Sequence, residues 1–190
     1  MLATMAMTGQ TKETEAADKL FAEFEYVDAA KEYEKLANKS KDPYVYKQLA
    51  ESHYNLFNSK EAIKWYAKLI EIKQQDAETY YRYAQMLKAE GRYEDANKQM
   101  QKFASMAPQD QRAVLFNQDP DYLPKLKSQT KLFDEKRLDI NDAKYADFSG
   151  FVTDDNTFYF ASTRNTARRT YGRNEEPYLD IYTATYNANG

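Results

Sequence analysis

Few side chains in this sequence could make or break a bond. The one histidine is His53. A histidine can act as a base or as a metal ligand, but a metal needs several His, Cys or carboxylate groups converging, and none is spaced for that here. His53 therefore reads as a packed or surface side chain. Ser149 precedes Gly150, but no histidine stands near it to take its proton. Asp154 and Asp155 are adjacent, and neighbours on a turn do not oppose each other across a substrate. No glycine-rich phosphate loop, paired zinc histidines or nucleophile elbow occurs. With no cysteine at all, disulfides, thiolate metal sites and Cys nucleophiles are excluded. The expectation is a non-enzyme with no catalytic residue, metal or cofactor.

Recognition is the chemistry that remains. Tyr44, Lys47, Glu51, Tyr54 and Asn55 are followed 34 residues later by Glu78, Tyr81, Gln85, Lys88 and Ala89. Tyrosines among charged and amide groups supply contact area and hydroxyls at low entropic cost. A second group, Arg164, Arg168, Arg169 and Arg173, could meet an acidic partner, lipid headgroups or cell-wall carboxylates. Glu175 and Glu176 dilute that charge, which favours a merely solvated loop.

The elements that must position the first group repeat at the same step. Ala62 and Ala96 are 34 residues apart, and Lys60–Tyr66 aligns with Glu94–Met100. Tyr46 falls over Tyr80, Leu49 over Tyr83, Ala50 over Ala84 and Leu69 over Phe103. Small residues at two fixed points with large apolar ones between are the tetratricopeptide pattern. Each unit is a helical hairpin that buries its face only by stacking on its neighbours, and the stack leaves a groove. Residues 12–108 are read as about three such repeats. The first is helical over Glu13–Asn38, with an apolar face of Ala16, Ala17, Leu20, Phe21 and Phe24. A break at Glu25–Asp28 leads to a second face of Ala29, Ala30, Tyr33 and Leu36. Thr11, Thr14, Asp18, Phe21 and Ala22 are its groove positions.

Repeat two has helices over Pro43–Phe57 and Lys60–Ile72, capped by Asp42 with Pro43 in the first turn. Trp65 on the second is expected to pack between repeats. Repeat three has helices over Ala77–Glu90 and Tyr93–Met106, with Gly91 between them supplying a positive φ. Tyr80, Tyr81 and Tyr83 point different ways around their helix, so at least one faces outward. Residues 109–131 are a capping helix and linker. Asp110–Asn117 forms the helix, Val114, Leu115 and Phe116 cover the end of the stack, and Pro120 and Pro124 interrupt the rest.

After Thr130 the period falls from 3.6 to 2. Leu138 and Ile140 alternate with Arg137 and Asp139, and further strands are expected at Phe148–Val152, Thr157–Ala161 and Leu179–Thr185. Thr153–Asn156 is a turn and Arg164–Glu176 a loop. The first eleven residues read either as the tail of a secretory signal, cleaved near Gly9 or Gln10, or as a tag or loose helix start. Lysine plus arginine total 27 against 30 acids, a balance that argues against a nucleic-acid partner. No apolar run is long enough to span a bilayer.

Asp147-Phe148-Ser149-Gly150-Phe151, then Phe158–Arg164, then Leu179-Asp180-Ile181-Tyr182 resemble one blade of the WD40-like repeat of TolB-type β-propellers. Ile140-Asn141 and Ala146 ahead of them add to the likeness. Helical repeats leading into such a blade resemble the OmpA-family proteins of Bacteroidetes, above all the PorE-type component of the type IX secretion and gliding machinery. The likeness spans roughly residues 12–187. The usual Pro-Asp-Gly turn is replaced by Asp154-Asp155-Asn156, and no lipobox cysteine is present. The fold class is then α+β as a fragment, an N-terminal α-solenoid followed by the first blade of an incomplete β-propeller over residues 132–190. A single blade leaves strand edges open.

The resemblance implies a protein-binding scaffold of the periplasm, associated with the outer membrane. Its implied partners are PorP/SprF-like outer-membrane barrels or other machinery subunits, with peptidoglycan held by a domain beyond this stretch. Two alternatives compete. One is the regulatory propeller front of a periplasmic peptidase. The other is a cytosolic co-chaperone, which predicts paired basic clamps for a terminal carboxylate, where only Lys47 and Lys88 come near.

Overall fold

A computed structural model of the chain describes residues 11–72, 75–120 and 122–185. The stretch expected as a signal remnant, residues 1–11, lies outside the described residues except for Thr11. The described residues form eight helices and then three strands. Two compact units result, one up to Gln129 and the other from Thr130.

The helical unit is a run of antiparallel hairpins. Helix α1 (Glu15–Ala22) pairs with α2 (Tyr26–Ala37), α3 (Pro43–Asn55) with α4 (Ser59–Ile72), and α5 (Ala77–Ala89) with α6 (Tyr93–Met106). Helix α7 (Gln111–Gln118) packs on α6, and α8 (Tyr122–Ser128) comes next. Small residues set the close approaches. Ala29, Ala62 and Ala96 are fully buried at matching places in the three second helices, as are Ala50 and Ala84 in the first helices. Tyr33, Tyr66, Leu49, Leu69 and Phe103 fill the space between them.

Aspartates start the first helices at a constant step. Asp42 accepts from Tyr44 N (2.9 Å), Asp76 from Thr79 N (2.9 Å) and Asp110 from Arg112 N (2.9 Å). Each satisfies an amide that the helix itself leaves unpaired. Helix α7 thus begins as the first helix of a fourth repeat.

The hairpin turns also repeat. Phe24, Phe57 and Gly91 stand at equivalent places with φ of +64°, +56° and +71°. In each turn the residue donates its N–H three residues back, and its follower donates five back, to Leu20, His53 and Leu87 respectively. Glycine takes this left-handed geometry freely, whereas for a side chain it costs about 1–2 kcal/mol. The turn corrects the expected apolar face of the first repeat. Phe24 is 64% exposed because it closes the hairpin, Ala16 is exposed too, and the break falls at Glu23–Glu25 so that Tyr26–Asp28 already belong to α2.

The cap differs in detail from expectation. Phe116 is buried together with Ala113, but Val114 and Leu115 are 39% and 58% exposed. A helix resting on one neighbour buries one stripe only, and residues 114 and 115 lie off that stripe. Helix α8 forms where the two prolines predict an interrupted linker. Pro124 is its third residue, within the first turn, where a missing N–H costs nothing. Trp65 is 3% exposed and tilts against Tyr46 at 5.2 Å, a contact inside its own repeat.

The second unit is an antiparallel sheet in the order β1 (Asp147–Val152), β2 (Thr157–Ser162), β3 (Asp180–Thr185). Phe160 pairs with Tyr182 in an unbroken β2–β3 register. The β1–β2 register slips between Phe148 and Phe151. Ser149 there has φ +56°, and a Cβ on Gly150 would stand 2.6 Å from the Phe158 ring. That dipeptide is a bulge, where an extra residue bends one strand.

The alternation at Leu138 and Ile140 does not make a strand. Ile140 is instead fastened through its carbonyl by Arg164 at 3.0 Å. Arg164 also binds Asp147 (2.9 Å) and lies over the Phe160 ring (4.7 Å), while Arg168 pairs with Asp180. Two of the four loop arginines therefore meet carboxylates of their own sheet rather than solvent.

Candidate functional site

The first helices of the hairpins, α1, α3, α5 and α7, line one face, and one polar bridge ties each to the next. From α3, Tyr44 donates to Asp18 on α1 at 2.8 Å. From α5, Arg82 donates to Glu51 on α3. From α7, Arg112 donates to Glu78 on α5 at 2.9 Å. A second bond runs within each of the first two repeats. Tyr33 donates to Asp18 at 2.6 Å and Tyr66 to Glu51 at 2.8 Å, both across 15 residues of sequence. In repeat three the corresponding residues are Gln85 and Met100, and that pair is absent.

The bridges set the electrostatics of the face. Glu51 is 6% exposed and shares its oxygens between Tyr66 and Arg82. Burial opposes the Arg82 charge, but the Glu51 and Glu78 carboxylates override it and hold the guanidinium above its ordinary pKa. Burial also works against the Glu78 charge. The hydrogen bonds from Arg112 and Arg82 prevail, so its pKa lies below the usual carboxylate value. Burial pushes the Tyr66 and Tyr33 hydroxyls well up, so both stay protonated donors.

Each groove residue expected from the sequence has a definite place. Tyr44 and Glu51 are bridge members. Lys47 is paired with Asp76 at 2.5 Å. Tyr54 is half-buried with the Arg82 guanidinium over its ring at 5.0 Å. Asn55 donates to the Glu51 carbonyl at 2.8 Å. Glu78 lies between Arg82 (3.1 Å) and Arg112 (2.9 Å). Tyr81 is sandwiched by Phe103 (5.2 Å) and Arg112 (4.1 Å), while Tyr80 and Tyr83 are buried. Gln85 and Lys88 are half-buried on the same helix, with Lys88 5.8 Å from the Tyr122 ring.

Gln48, Arg82 and Arg112 complete the face and are absent from the sequence-based set. A signal for them exists in the 34-residue step: Gln48 and Arg82 are equivalents, as are Tyr44, Glu78 and Arg112. The step shows them only when the register is carried past Pro108 into the cap.

His53 lies outside this face. Its Nδ1 is buried with no hydrogen-bond partner among the described residues, and burial lowers its pKa. No group of three or more His, Cys or acidic residues able to hold a metal occurs among the described residues. No helix among them is long and apolar enough to cross a membrane.

No family model matches the chain, and no curated protein matches it. Solved structures do. The first TPR of Spaghetti (RPAP3), bound to the HSP90 peptide SRMEEVD, superposes with a TM-score of 0.52 at 17% identity, covering 64% of this chain and 99% of that one. The C-terminal part of a TPR repeat-containing protein from Cytophaga hutchinsonii aligns with a TM-score of 0.48 at 22% identity, covering 56% of this chain. The match spans 45% of that Cytophaga chain. The helical unit has the tetratricopeptide fold.

Proposed function

We propose that this chain is a non-enzymatic protein-binding scaffold that receives an extended partner segment on the α1–α3–α5–α7 face. The observation that carries this reading is the way the face is held. A polar bridge at every helix–helix step fixes the backbone spacing, while Tyr54, Tyr81, Gln85 and Lys88 stay partly open beside the bridges. A pre-formed face loses little entropy when a partner docks. The solved Spaghetti repeat carries a peptide, which accords with this use of the fold.

The finer assignment rests on the resemblance of the second unit. The three-stranded sheet is the start of a WD40-like propeller, and the molecule is a periplasmic, outer-membrane-associated subunit of the type IX secretion and gliding machinery. Its partners are PorP/SprF-like barrels or sister subunits, and a peptidoglycan-binding domain completes the tether. Support comes from the order of helical repeats before sheet and from the blade-like run Phe158–Arg164 paired with Asp180–Tyr182.

The test is affinity capture from Bacteroidetes envelope extracts with the wild-type chain and with Tyr54→Ala/Tyr81→Ala. Outer-membrane proteins are expected with the wild type and are lost with the double variant at unchanged helicity. Recovery of cytosolic proteins alone, or equal capture by the variant, refutes it.

A further inference from the structure

The charges of the α1–α3–α5–α7 face are neutralised one by one, with an exception at Lys88. Glu51 and Glu78 are held by Arg82, Glu78 and Asp110 by Arg112, and Asp76 by Lys47. Asp18 accepts from three hydroxyls, those of Tyr33, Tyr44 and Thr14. Lys88 faces no carboxylate among the described residues. The electron-rich group near it is the Tyr122 ring, 5.8 Å away. Yet it is half-buried, and burial lowers its pKa from the ordinary lysine value. Withdrawing an ammonium from water without an anion is unfavourable. It stands seven residues after Tyr81 and three after Gln85, so the three share one stripe of α5. Tyr54, its equivalent one repeat earlier, is an aromatic at the same level of α3.

We infer that the partner segment presents a carboxylate to Lys88 and an apolar side chain to Tyr54 and Tyr81. This rests on the groove reading above and adds the chemistry of the occupant, an acidic–apolar extended peptide. Electrostatic complementarity selects such a segment, since a basic one would place its cation against the buried ammonium.

The experiment uses two labelled probe peptides in fluorescence anisotropy, one alternating leucine with aspartate and the other leucine with lysine. Both are titrated into the wild-type chain, K88Q, K88E and the control K102Q. The aspartate peptide is expected to bind, tenfold or more weaker to K88Q, undetectably to K88E, and unchanged to K102Q. In parallel, the NMR titration of 13C-methylated lysines should show one low-pKa amine, missing in K88Q, that rises when the aspartate peptide binds. Equal affinity for both peptides, preference for the lysine peptide, or indifference to K88E overturns the inference. So does failure of both peptides, but if an envelope partner is still captured and lost with Tyr54→Ala/Tyr81→Ala, the groove reading stands without it.

Discussion

At the scale of single residues, the protein stores its electrostatic commitments in the first-helix bridges. Glu51 is the most consequential, because its carboxylate is buried and depends on Arg82 and Tyr66. Replacing Arg82 by Met leaves that charge without its cation. Urea denaturation should show a loss of about 1.5–3 kcal/mol, the range for hydrogen bonds to charged groups. Arg82→Gln should cost less, since Gln48 occupies the equivalent place beside Asp18 and Tyr33 in the preceding interface. His53 gives the molecule a pH dependence of definite sign. Burial favours its neutral form; Glu61 of α4 and Glu34 of α2 oppose that effect, and Lys64 of α4 reinforces it. The unfolded chain therefore takes up this proton first. Stability should be full above the ordinary value of 6.5 and fall as the pH drops below it. Above about pH 5 most carboxylates remain ionised, so His53 governs this window. Denaturation midpoints at pH 7.5 and 5.5 should differ in the wild type and converge in His53→Leu. Equal shifts in both chains would remove His53 from the account.

At the scale of elements, the hairpin turns make an internal comparison. Phe57 and Gly91 close equivalent turns with the same backbone bonds. The Phe57 ring is 70% exposed, so it recovers little through burial. Phe57→Gly should stabilise the chain by up to about 1 kcal/mol, the left-handed penalty less the added entropy of glycine. Gly91→Ala should lower stability by a similar amount, about 1 kcal/mol, through strain alone, as open space surrounds the position. Both are read as shifts in the thermal or urea midpoint. In the sheet the same logic is steric. Gly150→Ala drives a methyl into the Phe158 ring, which itself stacks on Phe160 at 5.5 Å. Loss of near-ultraviolet aromatic ellipticity with helical signal retained is the expected result. The alternation at Leu138 and Ile140 shows the limit of periodicity here. A short run of the right pattern found no partner strand, and Arg164 took the Ile140 carbonyl instead.

At the scale of the whole molecule, two units meet in sequence near residue 130. The helical one has its own continuous core from Ala17 to Phe116. Residues 11–129 alone should therefore keep the α-helical circular dichroism of the full chain and unfold cooperatively. A non-cooperative transition would show that the repeats depend on the strand-bearing unit for their stability. The repeats themselves are legible in the sequence. A 34-residue recurrence of small and large apolar residues reports which surfaces must touch, because each hairpin buries its face only on the next. Asp42 and Gly91 mark helix ends for equally local reasons, a side chain that caps and a residue free of Cβ.

Tertiary structure alone decides which polar side chains of one helix reach those of the next. Glu51 has the composition of an open groove residue, yet it is sealed between Tyr66 and Arg82. Phe24 has the composition of a core residue, yet it closes a turn in solvent. Periodicity acts along one helix, whereas burial and pairing are set by the neighbour that stacking brings alongside. That neighbour lies a full repeat away in sequence, and its side chains meet only when the hairpins pack.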